Sequence, residues 1–342
     1  MKSLYRSVLL PIVTLALLSA CGTSAALPTP APAATPLSTA TATPVPTATP
    51  APTAEAATRM VTHALGKSEV PAHPQRVVVL DAMDDVLALG ITPVGAANWV
   101  GSASGAQAAF PPYLDQRMLA EIAWLGDNKQ PDLETIVRLK PDLILGRTTW
   151  HEAIYKELSA IAPTVIVDQK ALGGWKGQFL AYADALNKTA QAQGMLDAYE
   201  ARAASIKARL AQLSPAPEVS LARFDPGRIV IYERQIFAGS VLEDAGVRRP
   251  AGQDADESSR EISVEELAAV DGDVLLVVQA DAQNSTLAEL SGSPLWAQLK
   301  AVKSGRVVNV SFDVWVGGWT ITGANLILDD LERHLLASAA GQ

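Results

Sequence analysis

Tryptophan and arginine are the residues of this chain placed where they could handle a ligand. Seven Trp outnumber five Phe, and most of them follow short apolar runs that read as strands. Trp99 comes after Val94-Gly95-Ala96-Ala97, and Arg147 and Trp150 come after Leu143-Ile144-Leu145. Trp175 follows Gly173-Gly174, Tyr232 and Arg234 end the Arg228–Ile231 run, and Trp315 and Trp319 flank Gly317-Gly318 beyond Val307–Val310. Indole planes and guanidinium donors hold a bulky, polar-edged molecule by stacking and hydrogen bonding, with no bond made or broken. Open α/β sheets take their ligands beyond the carboxyl ends of the strands. Trp99, Arg147, Trp150, Trp175, Tyr232, Arg234, Trp315 and Trp319 are therefore the candidate ligand contacts, and core packing is the competing reading for each. Arg117, Arg223 and His151 are weaker candidates.

Reactive chemistry finds little material. One cysteine excludes a disulfide framework, a cysteine zinc site and a four-cysteine cluster. Four scattered histidines leave little for a histidine-built metal site. There is no Gly-x-Gly-x-x-Gly and no phosphate-binding loop. Gly101-Ser102-Ala103-Ser104-Gly105 has Ala where a hydrolase elbow needs its nucleophile. The acidic run Asp254–Glu257 lacks calcium-loop spacing and reads as a solvated loop. A net charge of −9 argues against a nucleic-acid partner.

The 342 residues, 49% of them hydrophobic, suffice for one large or two medium domains. Residues 1–20 read as a signal peptide, with Lys2 and Arg6 ahead of an apolar run too short to span a membrane comfortably. Leu18-Ser19-Ala20-Cys21 looks like a bacterial lipobox and marks Cys21 for lipidation. Residues 21–58 read as a lipid-anchored spacer, dominated from Pro28 to Thr58 by Pro, Thr and Ala, a stretch able to reach on the order of 90 Å when extended. Beyond it, apolar strand runs alternate with helical patterns, which implies βα units and a mostly parallel sheet. The pattern then repeats. Arg228–Tyr232 answers Arg76–Leu80, and Val264-Glu265 through Asp273–Leu276 answers Leu133-Glu134 through Asp142–Leu145, with Glu and Asp eight positions apart in both. Between the halves, Thr189–Leu213 reads as a long helix with Met195, Leu196, Tyr199, Ile206 and Leu210 at helical spacing. At 1.5 Å per residue it would span about 37 Å, enough to cross from one lobe to the other. The reading is an N-terminal lobe at 59–175, a connecting helical segment at 176–216 and a C-terminal lobe at 217–342.

The body resembles the iron-siderophore, ferric-dicitrate type substrate-binding lipoproteins of ABC importers. The resemblance is carried by Pro71–Val78, Leu89–Gly95, Leu133–Ile144, Phe237–Gly246 and Ala324–Leu331. It implies an α/β fold of the class III periplasmic-binding-protein, chelatase-like type, with two Rossmann-like lobes, one long connecting α-helix and a ligand cleft between the lobes. The implied function is capture of a ferric siderophore and delivery to an ABC permease with its ATPase, by a monomer lipid-anchored outside the cytoplasm. The protein would be no enzyme and would need no cofactor, the iron arriving inside the chelate. The family also tends to carry an aromatic at the position of Trp315, and it implies that Glu134 and Glu265 dock into arginine pockets of the permease. Glu266 leaves the second position ambiguous by one residue. The alternatives are a cobalamin- or haem-binding protein of the same fold, and a surface sensor or adhesin that does not transport.

Overall fold

Val77-Val78-Val79, the strand β3, is wholly buried on both faces, as a central parallel strand covered on each side must be. The computed structural model describes residues 57–98, 110–279 and 286–337. The leader, Cys21, the spacer as far as residue 56 and Trp99 lie outside those residues, and Thr58, read as the end of the spacer, begins the first strand. An antiparallel hairpin, β1 (Thr58–His63) and β2 (Gly66–Pro71), precedes β3. Around β3 stand β4 (Gly95–Asn98), β5 (Ala123–Asp127), β6 (Leu143–Arg147) and β7 (Thr164–Val167), all parallel, in the order β5-β4-β3-β6-β7.

The C-terminal lobe has a second five-stranded sheet in the order β10-β9-β8-β11-β12. Its strands are β8 (Val219–Asp225), β9 (Arg228–Tyr232), β10 (Ser259–Ile262), β11 (Val274–Gln279) and β12 (Val307–Ser311). Here the sheet is mixed. β8, β11 and β12 are parallel, whereas β9 folds back on β8 through a tight turn at Gly227 (φ +75°). The sequence correspondence between Arg228–Tyr232 and Arg76–Leu80 is therefore displaced by one strand: the central strand that matches β3 is β8. Alternation in β8 was hidden by Ser220 and Arg223 among its apolar residues.

The other repeat has a structural cause. Asp142, just before β6, accepts hydrogen bonds from the amides of Gln75 and Arg76 as the chain enters β3 (2.7 and 2.9 Å). Asp273, just before β11, accepts from the Glu218 amide as the chain enters β8 (2.8 Å). The same aspartate in each lobe thus satisfies the backbone at the base of the central strand, where the ladder has not yet begun.

The connecting segment holds two helices, Trp175–Ala185 and Thr189–Leu210, separated by a turn with Asn187 at φ +57°. Ala192, Leu196, Tyr199, Ala203, Ile206 and Leu210 form the buried stripe of the second helix. They belong to one continuous apolar core with Val77, Val79, Leu143 and Leu145 of the first sheet and Val219, Leu221, Leu276 and Val278 of the second. The alternate residues of the first sheet, such as Val78 and Ile144, face a separate outer core, as period-2 strands require. On the polar side of the helix, Arg202 pairs with Asp329 and Glu332, and Arg209 with Glu332.

A polar contact also joins the lobes directly. The helix Met83–Ala88 of the first lobe lies against Ile321–Leu331 of the second. Asp85 Oδ1 accepts from the Ile321 amide (3.0 Å), so a carboxylate from one lobe caps a helix of the other. Asp84 accepts from the Tyr113 hydroxyl and lies 3.4 Å from Thr320 Oγ1. Both carboxyls are buried. Burial pushes Asp84 up to about 6, partly offset by its hydrogen bonds, and pushes Asp85 well above the usual carboxylate range.

A carboxyl raised in this way binds its proton more tightly in the native state than in the unfolded one. Its contribution favours folding most below about pH 4, and stability is lost as pH rises through about 6. Asp84→Asn keeps the acceptor without the charge. It should melt at a higher temperature than the native chain at pH 8, by an amount on the order of 3 kcal/mol in stability, and match it near pH 4. Thermal melts of both proteins across this range check the sign.

Candidate ligand-binding cleft

Where β3 ends, the chain turns through Ala82 in the left-handed conformation (φ +56°) before the Met83–Ala88 helix begins. That turn sets Asp81 and Asp84 on the floor of a cleft of about 390 Å³ between the lobes. Asn98 ends β4, Asn128 follows β5, Arg147 ends β6 and Gln169 follows β7, so the first lobe's contribution comes from the carboxyl ends of its parallel strands. The second lobe closes the cleft with Ile236 and with Asp313 through Thr320, the segment after β12.

Arg147 organises the first-lobe wall. Its Nε lies 3.3 Å from Asp81 Oδ2, and Nη1 donates to Gln169 Oε1 (2.9 Å). The guanidinium carbon stands 6.0 Å from the centre of the Trp150 ring, and the Lys129 ammonium stands 5.0 Å from that ring. Asn128 Nδ2 donates to Asp81 Oδ1 (3.1 Å), completing the polar chain. Trp150 Nε1, Gln169 Nε2, Asn128 Oδ1 and Arg147 Nε are buried with no hydrogen-bond partner within the protein, Arg147 Nε having only its charge contact with Asp81. Buried polar groups are normally paired. Two neutral donors, one acceptor and the Nε of Arg147 on the cleft wall are therefore without a hydrogen bond from the protein.

His151 holds this wall from below. It is fully buried, its Nδ1 accepts from the Arg147 amide (2.9 Å), and its Nε2 donates to the Asn128 carbonyl (2.7 Å). Burial lowers its pKa and favours the neutral ring that this bonding needs. Gly146 makes room, since a Cβ there would approach His151 Nδ1 to 2.9 Å.

Of the eight ligand candidates read from sequence, Arg147, Trp150 and Trp319 stand in the cleft lining. Trp319 is half-buried and leans on Phe237, ring centres 5.7 Å apart. Four others sit elsewhere. Trp315 is fully buried and donates from Nε1 to Asp330 Oδ2 (2.9 Å), locking the turn after β12 onto the last helix. Trp175 lies in the shared core, edge-on to Tyr199 of the connecting helix and to Phe237 of the second lobe. Tyr232 is buried and is not part of the lining. Arg234 is exposed and paired twice with Asp254 (2.8 and 2.9 Å). Trp99 falls outside the described residues. Strand-end position alone does not distinguish a side chain aimed into a cleft from one that fills a seam between lobes.

Sequence reasoning passed over Asp81, Asp84, Tyr113, Asn128, Gln169 and Asp313, all in the lining. A signal existed for two of them. Asp81 ends the uninterrupted apolar run Val77–Leu80, and Asp84-Asp85 interrupts a helix otherwise built of Met, Val, Leu and Ala.

Both lobes also present an acidic residue at a helix start. Glu134 follows the cap Asp132, whose carboxylate accepts from the Thr135 amide (3.1 Å), and Glu134 itself is exposed. In the second lobe Ser263 and Glu266 form a reciprocal capping box, with the Ser263 amide 3.0 Å from Glu266 Oε2. Glu266 is thereby occupied and Glu265 stands exposed beside it.

Among the described residues there is no group of three or more potential metal ligands and no helix long and apolar enough to cross a membrane. The chain is 36% identical over 296 residues to the probable siderophore-binding lipoprotein YfiY of Bacillus subtilis, covering 82% of this chain and 88% of that one. It is 30% identical to the Fe(3+)-citrate-binding protein YfmC of the same organism, over 75% of this chain and 80% of that one. Among solved structures, Staphylococcus aureus SirA complexed with staphyloferrin B superposes with a TM-score of 0.68 at 28% identity, over 81% of this chain and 98% of that one. The periplasmic binding protein family matches residues 77–314, from the first buried strand to the segment after β12. The two-lobe α/β chain described here belongs to the periplasmic binding protein family.

Proposed function

We propose that this protein captures a ferric siderophore in the cleft between its lobes and hands it to the permease of an ABC importer. The observation that carries the reading is the set of unpartnered donors, Trp150 Nε1 and Gln169 Nε2, buried beside Arg147 at the strand ends. A chelate supplies its own ligands to iron, so its binding site needs planes and hydrogen-bond donors, which this cleft provides. Relatives named for siderophore and Fe(3+)-citrate binding support the same ligand class over cobalamin or haem. A resident cofactor has no part in this function, since the iron enters with the ligand. Cys21 carries the lipid anchor that holds the protein at the membrane, as a monomer outside the cytoplasm. Glu134 and Glu265 are the docking carboxylates. Both are exposed, and each suits the bidentate reach of an arginine on the permease.

Titration of tryptophan fluorescence with ferric chelates, corrected for inner-filter absorption, tests capture. One chelate should bind saturably and its iron-free form should not. Trp150→Ala and Trp319→Ala should each weaken that binding about tenfold, the scale of a lost aromatic contact, with melting temperatures close to the native one. Unchanged affinity in both variants would remove the cleft assignment.

Glu134→Ala combined with Glu265→Ala should leave chelate affinity intact and abolish uptake by the cognate permease and ATPase. Glu266→Ala, which opens the capping box, should lower stability by about 1 kcal/mol and leave uptake in place. Lost affinity in the double variant would sink the docking assignment.

A further inference from the structure

The charges of the cleft narrow the class of chelate. Three lining residues are aspartates, Asp81, Asp84 and Asp313, against one cation, Arg147. Arg147 is already met by Asp81. Asp84 is held by Tyr113 and Thr320. Residues 99–109 contain no ionisable side chain, and 280–285 contain only Asp281. Lys129 is exposed, its ammonium against the Trp150 ring. The Trp150 indole and the Gln169 amide, donors with no partner in the protein, are neutral, and the charge of Arg147, whose Nε also makes no hydrogen bond, is met at 3.3 Å by Asp81 Oδ2.

Such a wall suits uncharged oxygen acceptors and resists concentrated negative charge. Opposed charges gain, and like charges lose, most where water is excluded. Ferric carboxylate and catecholate complexes carry net negative charge. Three hydroxamates, each losing one proton, neutralise iron(III), and a pendant ammonium makes the complex cationic.

We infer that this cleft selects ferric chelates of zero or positive net charge, the trihydroxamate class, and discriminates against polyanionic carboxylate and catecholate chelates. This rests on the capture function proposed above and deepens it. It also separates this chain from the relative named for Fe(3+)-citrate binding.

The test uses the full chain in mild detergent, titrated at low salt with ferrioxamine B (cationic), ferrichrome (neutral), ferric dicitrate and ferric enterobactin (both anionic). The hydroxamates should bind at least tenfold more tightly than either anion, and the gap should narrow as salt rises. Asp313→Asn should narrow the gap at least threefold. Thr149→Lys, which adds a cation at an exposed lining position, should narrow it further without disturbing packing. Equal or tighter binding of the anions, with neither variant changing the ratio, overturns the charge selection and leaves the capture function standing. Absence of binding by all four chelates removes the capture function and the selection with it.

Discussion

Everything in this molecule depends on one apolar core that belongs to neither lobe alone. The inner faces of both sheets and the buried stripe of the connecting helix meet in a single packed cluster. Close-packed interiors resist deformation, so the lobes are positioned as firmly as two layers of one domain. Asp85 adds a directional bond across the same seam. A cleft whose walls are fixed in this way binds by preformed complementarity, with little ordering to offset on binding. A wide hinge motion would have to break that core open, so only small adjustments of the lobes are compatible with it.

The floor of the cleft shows how a cation is made part of a scaffold. Arg147 ends a strand and is fixed from three sides, by Asp81, by Gln169 and by the hydrogen bond its backbone N–H donates to His151 Nδ1. That fixing leaves the amide of Gln169 and the indole of Trp150 aimed at nothing in the protein. The binding capacity is thus displaced from the charged group to the neutral ones it orients. A charge embedded in compensating partners sets geometry more than it supplies attraction.

Much of this architecture was legible in the sequence, and the parts that were not share a cause. The strands at Val77, Leu143 and Val165 announced themselves by short uninterrupted apolar runs, and the repeated Glu–Asp spacing marked equivalent positions in two lobes. The aspartate of that repeat has a backbone role in each. β8 was missed because Ser220 and Arg223 break its apolar run, although Ser220 is buried and bonded to Gln253. Trp175 and Trp315 drew attention as aromatics beside glycines. Their burial follows from which helix they meet, which is a long-range property. Asp84 and Asp85 went unnoticed for the same reason: their partners, Thr320 and Ile321, lie 236 residues away.

The hairpin that opens the described chain has a further role. β7 is the outermost strand of its sheet, and its outward carbonyls alternate with those that face β6. The hairpin takes two of them: the Ala64 amide donates to Ile166 O (2.9 Å) and Ser68 Oγ to Thr164 O (2.8 Å). An uncovered edge of Thr-Val-Ile-Val would be a template for a strand from another molecule. On this side the template is already occupied by the chain's own hairpin, so copies can crowd together without adding strand to strand.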